Sequence, residues 1–264
     1  MIDLQHTLEE AISIAKEAGR LLKEGFGKQV IIEEKSTAVD WVTQYDKAAE
    51  DLILTRLLAA FPKHAIVGEE NGRIHKDSAY TWHVDPLDGT TNFAHGFPIF
   101  AVSLGLCHKE IPILGVVYDP IRDECFYASK GQGAFRTHAE QIYPIHVSTT
   151  HKLSHALLGT GFPYDRATAG RSLATVETML AHVHGIRRQG AAALDLVTVA
   201  SGRFDGYWEF QLKSWDVAAG IIILLEAGGE VTNFAGQPVR IAPQMDLVVS
   251  NGRIHAQMLT LLMK

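Results

Sequence analysis

The sequence predicts a mixed α/β fold of the α+β kind, and three observations support this prediction. Two amphipathic helical patterns come first, over about residues 3–25 and 44–60. Apolar runs of strand length then follow one another from about residue 65 to 128, separated by short turn-like segments. From about residue 146 onward, helical and strand patterns alternate.

The first half begins with a predicted helix over residues 3–25, because its apolar residues recur at spacings of three and four. Gly25 and Gly27 end this helix. We expect a short strand over residues 30–32 and a polar loop or hairpin tip over 33–40. A second helix follows over about 44–60 and is stopped by Phe61 and Pro62.

Strand patterns occupy the rest of the first half. Residues 65–67 lead into Gly68-Glu69-Glu70, and residues 80–84 lead into an acidic segment that begins at Asp85. Three further apolar runs, whose connections are polar or turn-like, predict an antiparallel meander at about 99–108, 112–118 and 124–128.

The second half predicts alternating elements. We expect strands at 156–160, 205–210, 231–233 and 247–250, and helices at 168–184, 191–201, 215–227 and from 253 onward. Since no linker or repeat separates the halves, we expect a single domain over residues 1–264, with halves 1–145 and 146–264 packed as one unit.

Composition restricts the class of partner. The chain of 264 residues carries 24 Lys and Arg against 30 Asp and Glu, a net charge of −6. This balance argues against a broad basic surface, and therefore against nucleic acid as the principal ligand. We expect a cytoplasmic protein, since neither a signal peptide nor an apolar run long enough to span a membrane is evident. Cys107 and Cys125 are expected to be buried reduced thiols, with a disulfide as the alternative.

An acidic turn is the strongest chemical signal. Asp85-Pro86-Leu87-Asp88-Gly89 follows a predicted strand, and Asp-Pro favours a tight turn that holds both carboxylates close together. A divalent cation would relieve their repulsion, and oxygen ligands favour Mg²⁺. The small residues at 89–92 offer backbone N–H groups for a phosphate. The alternatives are an ordinary surface turn and helix capping by Thr90 and Thr91.

Other candidates have plausible structural explanations. Glu69 and Glu70 follow a predicted strand, where a solvated strand end is the alternative, and Asp216 begins an apolar helix, where an N-cap is the alternative. The pairs His151 and His155, and His182 and His184, have spacings compatible with a metal, but surface histidines are the expectation because no third ligand is evident.

Three segments together resemble the inositol monophosphatase family. They are Gly68-Glu69-Glu70, the WHVDPLDGTTNF run at 82–93, and the WDVAAG run at 215–220, followed by EAGG at 226–229. The resemblance covers nearly the whole chain and looks closest to bacterial members. It implies a layered α/β/α/β/α sandwich of the inositol monophosphatase and fructose-1,6-bisphosphatase type, a homodimer, and Mg²⁺-dependent, Li⁺-sensitive hydrolysis of phosphomonoesters.

The resemblance also implies roles for particular residues. Two or three Mg²⁺ ions would be bound: the first by Glu69, Asp85 and the Leu87 carbonyl, the second by Asp85, Asp88 and Asp216, and a weaker third in part by Glu69. Glu69 and Thr90 would orient the attacking water, and Asp46 would polarise Thr90, although Asp46 alone could be a helix cap. Lys35 would lie on a loop beside the site, and a solvated surface lysine is its alternative.

Substrate contacts rest on the same resemblance. They would involve Gly89, Thr90, Thr91, Gly190, Ala191, Ala192, Glu209, Asp216 and Lys35. Many family members carry Thr or Ser where this chain has Ala191, so one hydroxyl contact is missing, which would relax substrate preference by about 0.5–1.5 kcal/mol. Inositol monophosphate is the leading substrate. The alternatives are a fructose-1,6-bisphosphatase, a histidinol phosphatase, a broad-specificity sugar phosphatase or, less favoured, a 3′-phosphonucleotide phosphatase. A non-enzymatic protein- or RNA-binding module is the alternative outside catalysis.

Overall fold

The structure is a computed structural model that describes residues 2–35, 40–74, 77–165 and 168–263. The α-helices in these ranges are α1 Leu4–Gly25, α2 Gln44–Ala60, α3 Thr90–Ala94, α4 Ala169–Leu180, α5 Ala192–Ala200, α6 Ser214–Glu226 and α7 His255–Leu262. The strands are β1 Ile32–Glu34, β2 Trp41–Thr43, β3 Ala65–Gly68, β4 Gly72–Ile74, β5 Tyr80–Asp88, β6 Ala101–His108, β7 Ile111–Asp119, β8 Glu124–Ser129, β9 Ala134–His138, β10 Gln141–Pro144, β11 Leu157–Thr160, β12 Gly185–Arg187, β13 Gly206–Lys213, β14 Glu230–Thr232 and β15 Gln244–Ser250.

Two mixed sheets form the framework of the described residues. The larger has the order β10-β9-β8-β7-β6-β5-β3-β4, and the smaller has the order β12-β11-β13-β15-β14. Each successive pair of strands from β5 to β10 is antiparallel, which confirms the predicted meander, whereas β3 pairs with β5 in parallel. The predicted boundary near residue 145 falls between the two sheets, because β10 ends the first and β11 begins the second.

The helices and sheets alternate in five layers. Helices α1 and α2 bury their apolar faces against the outer side of the larger sheet. Helices α5 and α6 lie between the two sheets, in a core that includes residues of both. Helices α4 and α7 cover the outer side of the smaller sheet. This order confirms the predicted α/β/α/β/α sandwich, and the shared central core supports our proposal that the two halves form one domain.

Helix α6 lies unusually close to the larger sheet because two glycines face it. A Cβ atom at Gly105 of β6 would lie 2.6 Å from the backbone nitrogen of Ala219, and one at Gly115 of β7 would collide with the Ala219 carbonyl. At the N-terminus of α6, the Oγ atom of Ser214 is hydrogen-bonded to Nδ1 of His83 at 2.9 Å. These contacts fix the start of α6, and with it Asp216, against β5.

Several element bounds differ from the sequence predictions. The helix expected at 168–184 ends at Leu180, because the backbone N–H of His184 donates to the carbonyl of Ala156 and the chain pairs with β11 as β12. The strand expected at 30–32 lies at 32–34 and pairs with β2, inside the segment predicted as a loop or hairpin tip. Strands β2, β4, β9, β10 and β12 were not predicted.

The cysteine prediction is confirmed, because Cys107 and Cys125 are both buried and free. Burial raises the pKa of each thiol to about 12, so neither is a reactive thiolate near neutral pH. None of the helices within the described residues combines the length and apolar character that crossing a bilayer requires.

The buried carboxylate of Glu124 on β8 pairs with Arg136 of β9 and with Arg203 in the turn after α5, and this ion triad yields a prediction about stability. Burial alone would raise the pKa of Glu124, but hydrogen bonds and charge from Arg203 and Arg136 outweigh burial and hold the pKa below its usual 4.5. The two Arg203 contacts with Glu124 measure 2.7 and 2.5 Å. Because Arg203 is 42% exposed, solvent screens part of its attraction to Glu124. We therefore expect Glu124→Gln to lower the free energy of unfolding by only ~1–2 kcal/mol at pH 7.

The pH dependence has a defined sign. A carboxylate with a lowered pKa stabilises the folded state above the unfolded pKa near 4.5, and this contribution disappears as the pH falls through the folded value. Urea unfolding at pH 7 and pH 4 should therefore show a smaller difference between wild type and Glu124→Gln at the lower pH. The matched control is Glu33→Gln, because Glu33 pairs with Lys47 on the exposed surface. An equal loss in both variants would contradict the prediction.

Candidate active site

The acidic turn lies at the end of β5, where the strand is irregular. The pairing of β5 with β6 shifts register between Asp85 and Asp88, so that one extra residue is accommodated. Asp85 Oδ1 accepts a hydrogen bond from the Leu87 N–H at 3.0 Å, which holds the turn closed. Gly89 has φ of +99°, and a Cβ there would lie 2.9 Å from the Ile99 carbonyl oxygen, so this position requires glycine.

Four carboxylates influence one another at this turn: Asp85 and Asp88 of β5, Glu69 directly after β3, and Asp216 of α6. Burial raises the pKa of Asp85 well above its usual range, and the negative charges of Glu69, Asp88 and Asp216 raise it further. Burial likewise raises the pKa of Asp216, to which the charges of Glu69 and Asp88 add. Buried carboxylates that repel one another are the environment that a divalent cation would relieve, so the donor set fits a hard, oxygen-preferring metal such as Mg²⁺.

The carboxylate oxygens are not drawn together as a finished ligand set. Among the residues that the structure describes, no group of three His, Cys, Asp or Glu side chains has the arrangement of a closed metal site. Instead, besides Asp85, two more of the carboxylates accept hydrogen bonds from backbone N–H groups. Asp88 accepts from Ala192 at 3.2 Å and Ala193 at 2.7 Å, and Asp216 accepts from Lys213 at 2.7 Å.

Asp88 and Asp216 therefore connect the turn to two helix starts. Burial and the charge of Glu69 raise the pKa of Asp88 to about 7, although the N–H groups of Ala193 and Ala192 oppose this shift. Asp216 is the third residue of α6 and not its N-cap, but it still caps the helix, because its side chain accepts from the N–H of the N-cap residue Lys213. The N–H of Ala192, a predicted substrate-contact residue, donates to Asp88 in this structure.

Glu69 lies beside a lysine. Lys35 Nζ donates to Glu69 Oε1 at 2.8 Å and also pairs with Glu70, so Lys35 is not a solvated surface lysine. Burial and the charge of Glu69 raise the pKa of Glu70 to about 7, with Lys35 opposing the shift. The loop residues 36–39, which adjoin Lys35, lie outside the described residues.

Glu50 supports the glutamate pair, and sequence reasoning missed it. Its carboxylate accepts from the Glu70 N–H at 3.2 Å and from Asn71 Nδ2 at 2.6 Å. A Cβ atom at Gly68 would collide with the Glu50 carboxylate, so glycine at this position leaves room for that carboxylate beside Glu69. The available signal was a second acidic residue, besides Asp46, on the mainly apolar buried face of α2, at helical spacing from Asp46 and Ile53.

Asp46 and Thr90 form a buried pair. Thr90 Oγ1 donates to Asp46 Oδ1 at 2.8 Å, while Asp46 Oδ2 accepts from the Thr43 N–H at 2.8 Å as part of the α2 capping box. Asp46 thus fulfils both interpretations, as a capping-box residue and as the partner of Thr90. Thr90 does not cap α3, because Gly89 occupies that position without a side-chain hydrogen bond.

The predicted substrate contacts come from the second half of the chain. Glu209 is half-buried on β13, where its carboxylate accepts from the Tyr207 hydroxyl. Burial raises the pKa of Glu209 to about 7, and Tyr207 and the nearby charge of Arg188 oppose that shift. Gly190 has φ of +83° and precedes the buried Ala191 at the start of α5.

Asn92 joins the two halves at this point and was also missed. Its Nδ2 donates to the carbonyls of Ile99 at 2.8 Å and Gln189 at 2.9 Å, so α3 is tied to the turn before α5. Its place in the run at 82–93 was the available signal. The four candidate histidines His151, His155, His182 and His184 are exposed, as expected of surface residues.

Comparisons with known proteins agree with this arrangement. The sequence model of the inositol monophosphatase family matches residues 3–264. The inositol-1-monophosphatase of Synechocystis sp. is 43% identical over 97% of this chain and 88% of its own length. The fructose-1,6-bisphosphatase/inositol-1-monophosphatase of Aquifex aeolicus is 42% identical over 97% of this chain and 94% of its own. The Nus factor SuhB of Pseudomonas aeruginosa is 43% identical over 88% and 87%.

Solved structures show the same fold. The inositol monophosphatase of Anabaena superposes with a TM-score of 0.89 at 42% identity, covering 99% of this chain and 97% of the other. The extragenic suppressor protein suhB of Bartonella henselae gives 0.91 at 38% identity, covering 98% and 99%. With the family match over residues 3–264, these relatives show that the chain belongs to the inositol monophosphatase family.

Proposed function

We propose that this protein is a Mg²⁺-dependent phosphatase that hydrolyses inositol monophosphate to inositol and phosphate. The proposal rests on the convergence of the carboxylates of Glu69, Asp88 and Asp216 on Asp85: burial and their three charges raise the pKa of Asp85. Members of the family are generally metal-dependent, and a relative 43% identical to this chain is named an inositol-1-monophosphatase.

The residues that would hold the ions follow the predicted sets. Glu69, Asp85 and the Leu87 carbonyl would hold one Mg²⁺, and Asp85, Asp88 and Asp216 a second. A weaker third would be held in part by Glu69. Bound Mg²⁺ would supply neutralisation of the phosphate charge and activation of the attacking water.

The chain's own residues would orient that water and the ester. The Thr90 hydroxyl donates a hydrogen bond to Asp46 at 2.8 Å. The Thr90 oxygen can therefore still accept a hydrogen bond from water. Glu69 would accept from the same water. The N–H groups of Gly89, Thr90 and Thr91 would face the phosphate, and Lys35 would supply positive charge nearby.

On the substrate side, Glu209 would accept a hydrogen bond from a hydroxyl group. The turn Gly190-Ala191-Ala192 and Asp216 would line the remainder of the substrate site. Ala191 supplies no hydroxyl, which favours a relaxed preference among sugar phosphates.

A phosphate-release assay with Mg²⁺ tests the proposal. It compares inositol 1-phosphate, fructose 1,6-bisphosphate, histidinol phosphate and 3′-phosphoadenosine 5′-phosphate. We expect the highest kcat/KM for inositol 1-phosphate, and inhibition by Li⁺. A flat profile would instead support a broad-specificity sugar phosphatase, and a preference for the bisphosphate would support the activity named for the Aquifex aeolicus relative. No release from any ester would contradict the enzymatic proposal.

We further propose that the protein acts in the cytoplasm as a homodimer. Light scattering should then give twice the 29.0 kDa mass of one chain. A single-chain mass at micromolar concentration would contradict this assembly.

A second, non-catalytic role is the other candidate, since a relative 43% identical to this chain is named a Nus factor. The net charge of −6 favours a protein partner over a broad nucleic-acid surface. Recovery of one stoichiometric partner from cell extract, by wild type and by an inactive Asp88→Asn variant alike, would support this role.

A further inference from the structure

Strand β13 carries one extra residue directly after Glu209. Glu209 pairs with Leu247 and Leu212 pairs with Met245, so Phe210 and Gln211 together face the single residue Asp246 on β15. This is a β-bulge, in which the ladder is interrupted and the strand bends.

The bulge changes which face of the sheet the following residues occupy. Tyr207 and Glu209 share a face, since their side chains are hydrogen-bonded. Leu212 packs in the same core as Tyr207, although strict alternation would place it on the opposite face with Phe210. The extra residue therefore determines which face of the sheet is occupied by each residue between Glu209 and the start of α6, which carries Asp216.

Asp246 holds the bulge in place. Gln211 has φ of +61°, an unfavourable conformation for a residue with a side chain. Its N–H has no place in the ladder and donates to Asp246 Oδ1 at 2.9 Å. Arg171 of α4 pairs with the other oxygen, Oδ2, at 3.2 Å, and its guanidinium lies 4.1 Å from the ring centroid of Phe210.

Glu209 has little freedom on the inner side of the same bulge. A Cβ atom at Gly161 would collide with the Glu209 carboxylate, so that carboxylate fills the space that glycine leaves. The Tyr207 hydroxyl fixes one of its oxygens. A small shift of the bulge would therefore move Glu209 away from the position it needs to meet a substrate hydroxyl.

We propose that Asp246 is a positioning residue for substrate specificity, which acts by holding the Gln211 bulge and thereby the Glu209 carboxylate. This inference rests on the proposed function, in which Glu209 accepts from a substrate hydroxyl. Asp246 itself lies on β15, on the side of the sheet that faces α4, where it pairs with Arg171.

Two phosphate esters separate positioning from a general loss of structure. Inositol 1-phosphate offers hydroxyls to Glu209, and p-nitrophenyl phosphate offers none. We expect Asp246→Ala to raise KM for inositol 1-phosphate about fivefold, the effect of roughly one hydrogen bond, with kcat nearly unchanged. KM for p-nitrophenyl phosphate should stay at the wild-type value. Asp246→Asn, which retains an acceptor oxygen for the Gln211 N–H, should restore the inositol 1-phosphate value.

The controls use matched chemistry elsewhere in the chain. Asp119 on β7 also accepts a backbone N–H, from Ile121 at 2.9 Å, and pairs with Arg122, yet it lies in the other sheet. Asp119→Ala should therefore leave the ratio of the two KM values unchanged. Gly161→Ala, which displaces Glu209 directly, should reproduce the Asp246→Ala effect. If Asp246→Ala does not fold, Arg171→Gln provides a milder loss of the same support and should shift the ratio in the same direction.

The assays distinguish a failure of the inference about Asp246 from a failure of the proposed function. Equal changes for both esters, or no change for either, would overturn the role of Asp246 while wild type still hydrolyses inositol 1-phosphate. Wild type without that activity would overturn the proposed function. In that event, crystal structures of wild type and Asp246→Ala test the role of Asp246 without an activity assay. The inference requires the bulge at Gln211 to shift and Glu209 to move. An unchanged Glu209 would refute it.

Discussion

Replacing Asp88 by Asn should lower kcat/KM by about 10³-fold, because the metal sites are expected to supply several kcal/mol of charge stabilisation. Asn keeps the size of the side chain. It also keeps an oxygen that can accept from the Ala193 N–H, which in the wild type donates to Asp88 at 2.7 Å. It removes one negative charge from the carboxylate group, and with it a ligand for the second Mg²⁺. We therefore expect weaker Mg²⁺ binding by calorimetry, measured without substrate, alongside the lost activity.

The fold should survive the same substitution. Burial and the charge of Glu69 already raise the pKa of Asp88 to about 7, so the metal-free protein tolerates a neutral side chain there. Loss of one repelling charge should leave the thermal unfolding midpoint unchanged or slightly raised. Asp51→Asn is the matched control, because Asp51 is exposed on α2 and the substitution removes the same charge. Activity near the wild-type level in Asp88→Asn would refute the assigned metal set.

The elements that could be predicted from sequence are those with a strong apolar pattern. Helices α1 and α2 match their predicted bounds closely, since their buried residues recur at helical spacing. Strands β4 and β10 have no such pattern: no residue of either strand is buried. Pairing with a neighbour formed elsewhere defines these edge strands, and such pairing leaves little periodic signal in the strand itself.

The candidate site divides in the same way. Asp85 and Asp88 could be found because they occur in one short motif next to a predicted strand. Glu50 and Asn92 act through partners distant in sequence, and Asp246 acts through a bulge on a neighbouring strand. Only the fold brings these side chains to their partners, so composition and local spacing carried almost no information about their roles.

Replacing Thr90 by Val should lower kcat by about 10²-fold, the usual contribution of a group that positions a proton transfer, while Mg²⁺ binding stays unchanged. Val keeps the shape of Thr but removes the hydroxyl that donates to Asp46 at 2.8 Å. The buried Asp46 then loses one partner, which should destabilise the fold by about 1–2 kcal/mol. Calorimetric Mg²⁺ titration, together with kcat, distinguishes this variant from Asp88→Asn, in which binding and turnover should both fall.

Thr90→Ser is the matched control, because Ser retains the hydroxyl and should stay within a few-fold of the wild-type kcat. Asp46→Asn should reduce kcat through the same pair, since an amide cannot accept from both Thr90 and Thr43 as the carboxylate does. If the two residues act as one unit, the double variant should lose no more activity than Thr90→Val alone. Losses that multiply in the double variant would show instead that Thr90 and Asp46 act independently, and that Asp46 serves only the start of α2.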